Sequence, residues 1–176
     1  ALSSRHFDTP APLPSVSPEC PVFQSGGSWK GRFLKGRNGC MWDGPTWPYT
    51  NSVAIDGIGE VSRANNHAHD DLFAHFFWKY ALLHFRDTDG ETPYLVEHYD
   101  SMTGEPISDE PDYNHSYLID IIMRHVVGLK LNEDGKVSVD PIDIGLDFFT
   151  LESVNLHNQK IRVSFDRQSG AKIWSV

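Results

Sequence analysis

Ten residues, Trp42 to Asn51 (W-D-G-P-T-W-P-Y-T-N), gather two Trp, a Tyr, an Asp and an Asn around a Gly-Pro turn. Flat aromatic faces beside short hydrogen-bonding side chains are what a sugar ring requires, because its C–H faces stack on rings while its hydroxyls need directed partners. On that reading Trp42 and Trp47 are platforms, Asp43 and Asn51 are hydroxyl partners, and Gly44 and Pro45 form the turn that sets them. The competing reading makes both Trp residues core side chains at a Pro-terminated helix start. A second segment, Tyr94 to Pro106 (Y-L-V-E-H-Y-D-S-M-T-G-E-P), places Glu97 after a short apolar run, with His98 and Tyr99 beside it and a turn from Asp100 to Gly104 behind. A carboxylate among aromatic and apolar neighbours tends toward a raised pKa, the tuning that general acid and base chemistry uses. Taken alone, the pattern also fits a surface Glu on a strand that runs into a turn, the commoner case.

A third cluster, Asn65, Asn66, His67, His69, Asp70 and Asp71 with His75 further on, holds the imidazoles and carboxylates that divalent ions bind. Its H-x-H spacing matches no specific site, and these residue types are common at helix starts, so no metal and no other cofactor is expected. His98, His115 and His125 are candidates for polar contacts in a cleft, although a structural role is commoner for any single His. Cys20 and Cys40 match no metal or redox motif, and such sparse use favours unpaired thiols over a disulfide. The nucleophile-elbow, Walker, dinucleotide and H-E-x-x-H patterns are all missing.

The elements that must position these groups follow from punctuation and period. Pro10, Pro12, Pro14, Pro18 and Pro21 with Gly26, Gly27, Gly31, Gly36 and Gly39 predict a long irregular segment up to residue 40. Val53, Ile55, Ile58 and Val61 predict a helix from Trp47 to Ala64, weakened by Gly57 and Gly59. Leu72, Phe73, Phe76, Phe77, Tyr80, Ala81 and Leu83 predict the strongest helix, His69 to Phe85, with Asp70 and Asp71 at the positive end of its dipole. Leu118, Ile121, Ile122, His125 and Val126 predict a third helix from Asn114 to Leu129, with Gly128 as its stop. Beyond it the period shortens to two. Lys136 to Asp140, Phe148 to Val154, Ile161 to Phe165 and Lys172 to Val176 read as three or four antiparallel strands, with a turn at Gln168 to Gly170. The class is mainly α with a β appendage, α+β, divided at residues 1–130 and 131–176.

Charge and length narrow the function. With 15 Lys and Arg against 24 Asp and Glu, the net charge is −9 over 176 residues, which does not supply the basic face that nucleic acid requires. A 39% hydrophobic content supports one folded domain, or a domain with a small appendage, rather than disorder. Neither a run of about 18 apolar residues nor a basic-then-apolar N-terminus is visible, so no membrane partner is expected and the compartment stays open.

The ordered set P-L-P-S-V-S-P-E-C-P-V-F (Pro12–Phe23), W-D-G-P-T-W-P and V-E-H-Y-D-S-M-T-G-E-P, followed by a helix and a β tail, resembles the C-terminal part of the six-hairpin α/α-toroid glycosidases. Glycoside hydrolase family 63 and the mannosylglycerate-hydrolase-like domains are the nearest in pattern. The resemblance implies the last helices of an (α/α)6 toroid and an inverting hydrolysis of O-glycosidic bonds. It makes Glu97 the general base that activates water, and it makes Trp42, Asp43, Gly44, Pro45 and Trp47 the sugar-binding lining. Asn51, His98 and Tyr99 join them as hydroxyl or water-positioning groups. Asp43 stands where an Arg is frequent, and Tyr113, Asn114, His115 and Ser116 replace an aromatic-Ser-Trp start, which leaves the sugar open. Inversion needs a second carboxyl roughly 6.5 to 9.5 Å from the base, and the family's general acid lies upstream of the region covered here. Asp109, Glu110 and Asp112 fit solvated charge better than that role. The apolar helix stripes then call for another polypeptide segment or self-association, with a carbohydrate as substrate. A noncatalytic carbohydrate-binding or structural module is the alternative.

Overall fold

The computed structural model describes residues 6–28, 41–85, 90–108, 117–156, 158–168 and 171–175. Three helices precede two small antiparallel sheets, a mixed α+β chain. Helix α1 is Pro48–Ala64, α2 is Asp70–Leu82, and α3 is Leu118–Ile121, which widens into a π turn at Ile122–Val126. The strands are β1 (Leu129–Leu131), β2 (Val137–Val139), β3 (Phe148–Leu156), β4 (Gln159–Asp166) and β5 (Ala171–Ser175). The described residues fall into two compact units, one within Ala1–Gly57 and His75–Leu118, the other within Ile58–Ala74 and Ile119–Val176.

In the first unit the Pro-rich N-terminal segment is irregular from residue 6 to 28, and it is not loose. Ala11 is packed with Leu83, Leu95, Val96 and Tyr99 in one apolar cluster. Lys79 Nζ and His75 Nε2 on α2 donate to Asp8 Oδ1 at 2.6 and 2.8 Å. Burial pushes the Asp8 carboxyl upward, but these two hydrogen bonds and their charges outweigh it and hold it below the usual range. Helix α2 presents Phe73, Phe76, Phe77 and Tyr80, spaced i, i+3, i+4 and i+7, as fully or nearly fully buried side chains. At about 1.5 to 3 kcal/mol for each large apolar side chain, that stripe outweighs intrinsic propensity.

The apolar period placed the first helix correctly and its buried face only in part. Pro48 occupies the first helical position, where its missing N–H costs nothing. Val53 and Val61 are exposed, and the residues turned inward are Asn51, Ser52, Ile55, Ile58, Gly59 and Ser62. A stripe with four small or polar groups among its six residues leaves little apolar signal to read.

The second unit is organised on Val127, Ile161 and Val163, against which Leu129, Val137, Val139, Phe149, Leu151 and Leu156 pack. Strands β1 and β2 pair Leu129 with Val139, whereas β3 and β4 pair Phe149 with Phe165 and Leu151 with Val163. The register shifts between Leu151 and Val154, where Ser153 takes a φ of 58°, and resumes at Val154 opposite Ile161. The third helix is shorter than predicted: its α part is four residues, Asn114 to Ser116 lie outside the described residues, and Leu129 already belongs to β1. Gly128, with φ of 76°, ends the π turn and starts that strand, which three residues of alternation were too few to announce.

Within this unit His125 lies against Gly59 of α1. A Cβ built on Gly59 would sit 2.4 Å from His125 Nδ1, so only hydrogen fits there. Arg63 Nη1, which can only donate, is 2.7 Å from the same Nδ1. In that hydrogen bond the guanidinium donates and the ring nitrogen accepts. Gly59→Ala is expected to cost about 1 to 3 kcal/mol through overpacking. Gly57→Ala, two residues away with nothing within 4 Å of its built Cβ, is expected to be neutral or to stabilise by about 0.5 to 1 kcal/mol. Urea unfolding of both variants checks the contrast, and equal effects would contradict it.

Candidate active site

The two segments that could bind and process a sugar are joined by backbone. Thr46 N donates to Tyr99 O, and Tyr99 N to Thr46 O, each at 2.9 Å. Single antiparallel bridges extend the ladder from Pro14 to Thr46, from Thr46 to Tyr99 and from Tyr99 to Pro106. All three motifs of the sequence thus meet in one run of short strand contacts in the first unit. Pairing Thr46 with Tyr99 puts Trp47 opposite His98, and the period of two turns both to the other face. Their rings stack at 4.6 Å between centroids with 19° between planes. Trp42 then lies flat on Trp47, at 4.5 Å and 2°.

This ladder of rings separates the roles of the two Trp residues. Trp47 is 4% exposed, with one face on Trp42 and the other on His98, whereas Trp42 is 53% exposed. The ring surface open to a ligand is the outer face of Trp42. Trp47 Nε1 donates to Met41 O at 3.0 Å, which fixes the inner ring. Asp43 Oδ2 accepts from Ser28 N at 3.1 Å, and Asn51 Nδ2 donates to Leu13 O and Trp47 O at 3.3 and 3.1 Å. The other carboxylate oxygen of Asp43, Oδ1, and the amide oxygen of Asn51, Oδ1, are buried with no hydrogen-bond partner among the described residues. Gly44 is where Gln24 crosses: a Cβ there would lie 2.0 Å from Gln24 O. The crossing is secured by Gln24 N to Asp43 O at 2.8 Å and by Gly44 N to Ser15 Oγ at 3.1 Å.

Glu97 is mostly buried, its side chain 14% exposed, and its Oε2 lies 3.8 Å from His98 Nδ1. That separation is electrostatic contact rather than a direct hydrogen bond. Tyr99 is in the core, its hydroxyl donating to Leu83 O at 2.7 Å and accepting from Val96 N at 3.2 Å. Asp100 builds the turn behind: Oδ1 accepts from Met102 N and Thr103 N at 2.9 and 3.1 Å, and Oδ2 from Ser25 Oγ at 3.0 Å. Sequence reasoning marked the turn through its Asp and Gly, and it missed Thr46 and Ser25, whose only signal is a small hydroxyl.

The His and Asp cluster after α1 is built as a tie in the second unit. His67 Nδ1 meets Asp70 Oδ2 at 2.9 Å, His67 Nε2 meets Asp140 Oδ1 at 3.1 Å, and Ser62 Oγ donates to Asp70 Oδ1 at 2.6 Å. His69 and Asp71 are exposed. Cys20 is a free thiol, and Cys40, Asp109, Glu110, Asp112 and the stretch Tyr113 to Ser116 lie outside the described residues.

The structure thus brings a ring stack and a mostly buried carboxylate together on one backbone ladder. The chain belongs to a glycoside hydrolase family: residues 1–116 match the mannosylglycerate hydrolase MGH1-like glycoside hydrolase domain. All the motifs of the ladder lie inside that stretch, and all five strands lie outside it. No curated protein and no solved structure matches the chain.

Burial pushes the Tyr99 phenol up to about 12, outweighing the hydrogen bond from Val96 that favours ionisation. A raised acid contributes stability that is complete below its unfolded value of about 10 and is lost as pH climbs toward 12. Tyr99→Phe is therefore expected to cost about 1 to 3 kcal/mol at neutral pH, since it removes one partner of Leu83 O and of Val96 N. The variant should also lose the wild type's decline between pH 10 and 12. Denaturant midpoints across that range test both.

Proposed function

We propose that the chain is the C-terminal part of an inverting glycoside hydrolase with an (α/α)6 toroid, acting on O-glycosidic bonds. Glu97 is the general base, and the general acid is supplied by another polypeptide segment. The observation that carries this reading is the reciprocal Thr46–Tyr99 pair, which sets Glu97 one residue from the Trp42–Trp47–His98 stack. In the reaction Glu97 takes a proton from water as the water oxygen attacks the anomeric carbon on the face opposite the leaving group. The acid protonates the departing oxygen, so one bond forms, one breaks, and the configuration inverts. Trp42 stacks on the apolar face of the sugar. Asp43 Oδ1 and Asn51 Oδ1, buried out of a sugar's direct reach, serve as water-positioning groups, an enclosed water satisfying two acceptors that have no partner among the described residues. Pro45 and Gly44 hold the turn, and His98 and Tyr99, which follow Glu97 on the same strand, fix its position through the Trp47 stack and the Leu83 carbonyl.

The full chain is to be assayed against a panel of glycosides, with native mass spectrometry of the same sample. Expected are a self-associated or heteromeric species that hydrolyses at least one glycoside, and a loss of about 10³-fold in turnover for Glu97→Gln with sugar binding kept. Trp42→Ala is expected to weaken sugar binding by about tenfold, from loss of one stacking surface. A lone monomer that never hydrolyses sugars, and that binds them equally well as wild type and as the Glu97→Gln variant, would replace the enzyme with a binding module.

A further inference from the structure

The second unit holds a cleft of about 630 Å³ whose walls are Glu60 and Arg63 of α1, Arg124 of the π turn, Lys130 of β1, and Asp140 after β2. No ring lines it, and three of its five charged side chains are cationic, in a chain whose net charge is −9. The two carboxylates are already committed to the arginines. Glu60 Oε1 is 3.1 Å from Arg124 Nη2 and 4.0 Å from Arg63 Nη1. Asp140 Oδ2 is 3.7 Å from Arg63 Nε, and its Oδ1 is held by His67 at 3.1 Å. Arg63 is further fixed by Asp140 O at 3.1 Å, by His125 Nδ1 at 2.7 Å and by the carbonyl of Arg124. Lys130, exposed on β1, has no ion pair among the described residues. A fixed guanidinium, a second one beside it and an uncommitted ammonium therefore face one space.

We propose that this cleft is a binding site for a small polyol carrying one anionic group, a sugar acid or a sugar phosphate. Lys130 and Arg124 take the anionic group through charge-assisted hydrogen bonds. The oxygens of Glu60 and Asp140 accept from ring hydroxyls, a role open to carboxylates that keep lone pairs beyond their arginine contacts. The volume lies in the range of small-ligand sites. The proposal uses none of the residues assigned to the glycosidase reading and does not rest on it.

Calorimetric titration of the full chain in phosphate-free, low-salt buffer tests this with glucuronate, glucose 6-phosphate, inorganic phosphate and glucose as probes. Saturable binding of glucuronate or glucose 6-phosphate is expected, which of the two binds naming the anion, with glucose not binding. Lys130→Ala is expected to weaken that binding about tenfold and Lys130→Glu to abolish it. Trp42→Ala should leave it unchanged. Since Lys130 is exposed, an unaltered unfolding midpoint separates lost binding from lost fold. Failure of both charged sugars to bind, equal binding of glucose, or indifference to Lys130 substitution would overturn the proposal. Inorganic phosphate binding as tightly as glucose 6-phosphate would remove the polyol from it.

Discussion

The candidate site of this glycoside hydrolase family member depends on one reciprocal pair of backbone hydrogen bonds, Thr46 with Tyr99. The pair asks nothing of side chains, yet it determines which side chains meet. Thr46 and Tyr99 share one face and turn inward, where Thr46 Oγ1 donates to Ala11 O at 2.9 Å and Tyr99 OH donates to Leu83 O at 2.7 Å. Trp47 and His98 share the other face and stack. Slipping the pairing by one residue would exchange the two faces, placing the phenol among the rings and His98 in the core. The anchors on the inner face are thus what keep the carboxylate and the ring ladder in the same place.

The W-D-G-P-T-W-P and E-H-Y-D segments stand out in the sequence by residue type, and their joining through the Thr46–Tyr99 pair was not legible there. The division of labour between Trp42 and Trp47 was not legible, since it depends on which faces a distant His covers. Helix α2 was legible almost to its ends, as a stripe of Phe and Tyr has one arrangement that buries it. The inward face of α1 was hidden, because Asn51, Ser52, Gly59 and Ser62 are chosen for what approaches them rather than for apolarity. The third helix was misread at its C-terminal side for a related reason. His125 and Val126 are both buried although they are adjacent in sequence, a pattern that an α-helical period allows but does not require.

Polar burial in the second unit is handled by concentrating it on one cation. Arg63 spends its donors on the main-chain carbonyls of Arg124, His125 and Asp140 and on the His125 ring, and so allows a π turn, a helix end and a loop to approach without leaving acceptors bare. Hydrogen bonds to an ionised donor are worth about 1.5 to 3 kcal/mol each, more than neutral ones. A lysine could not replace it, because four divergent acceptors need the planar fork.

The π turn at Ile122–Val126 carries one residue more than an α turn would, closed by Val127 N on Ile122 O at 2.8 Å. That surplus residue marks a place where the length of the chain can change. Removing one position would let the helix close with ordinary geometry, and because a π turn absorbs its extra residue locally, the strand that follows would keep Leu129 opposite Val139.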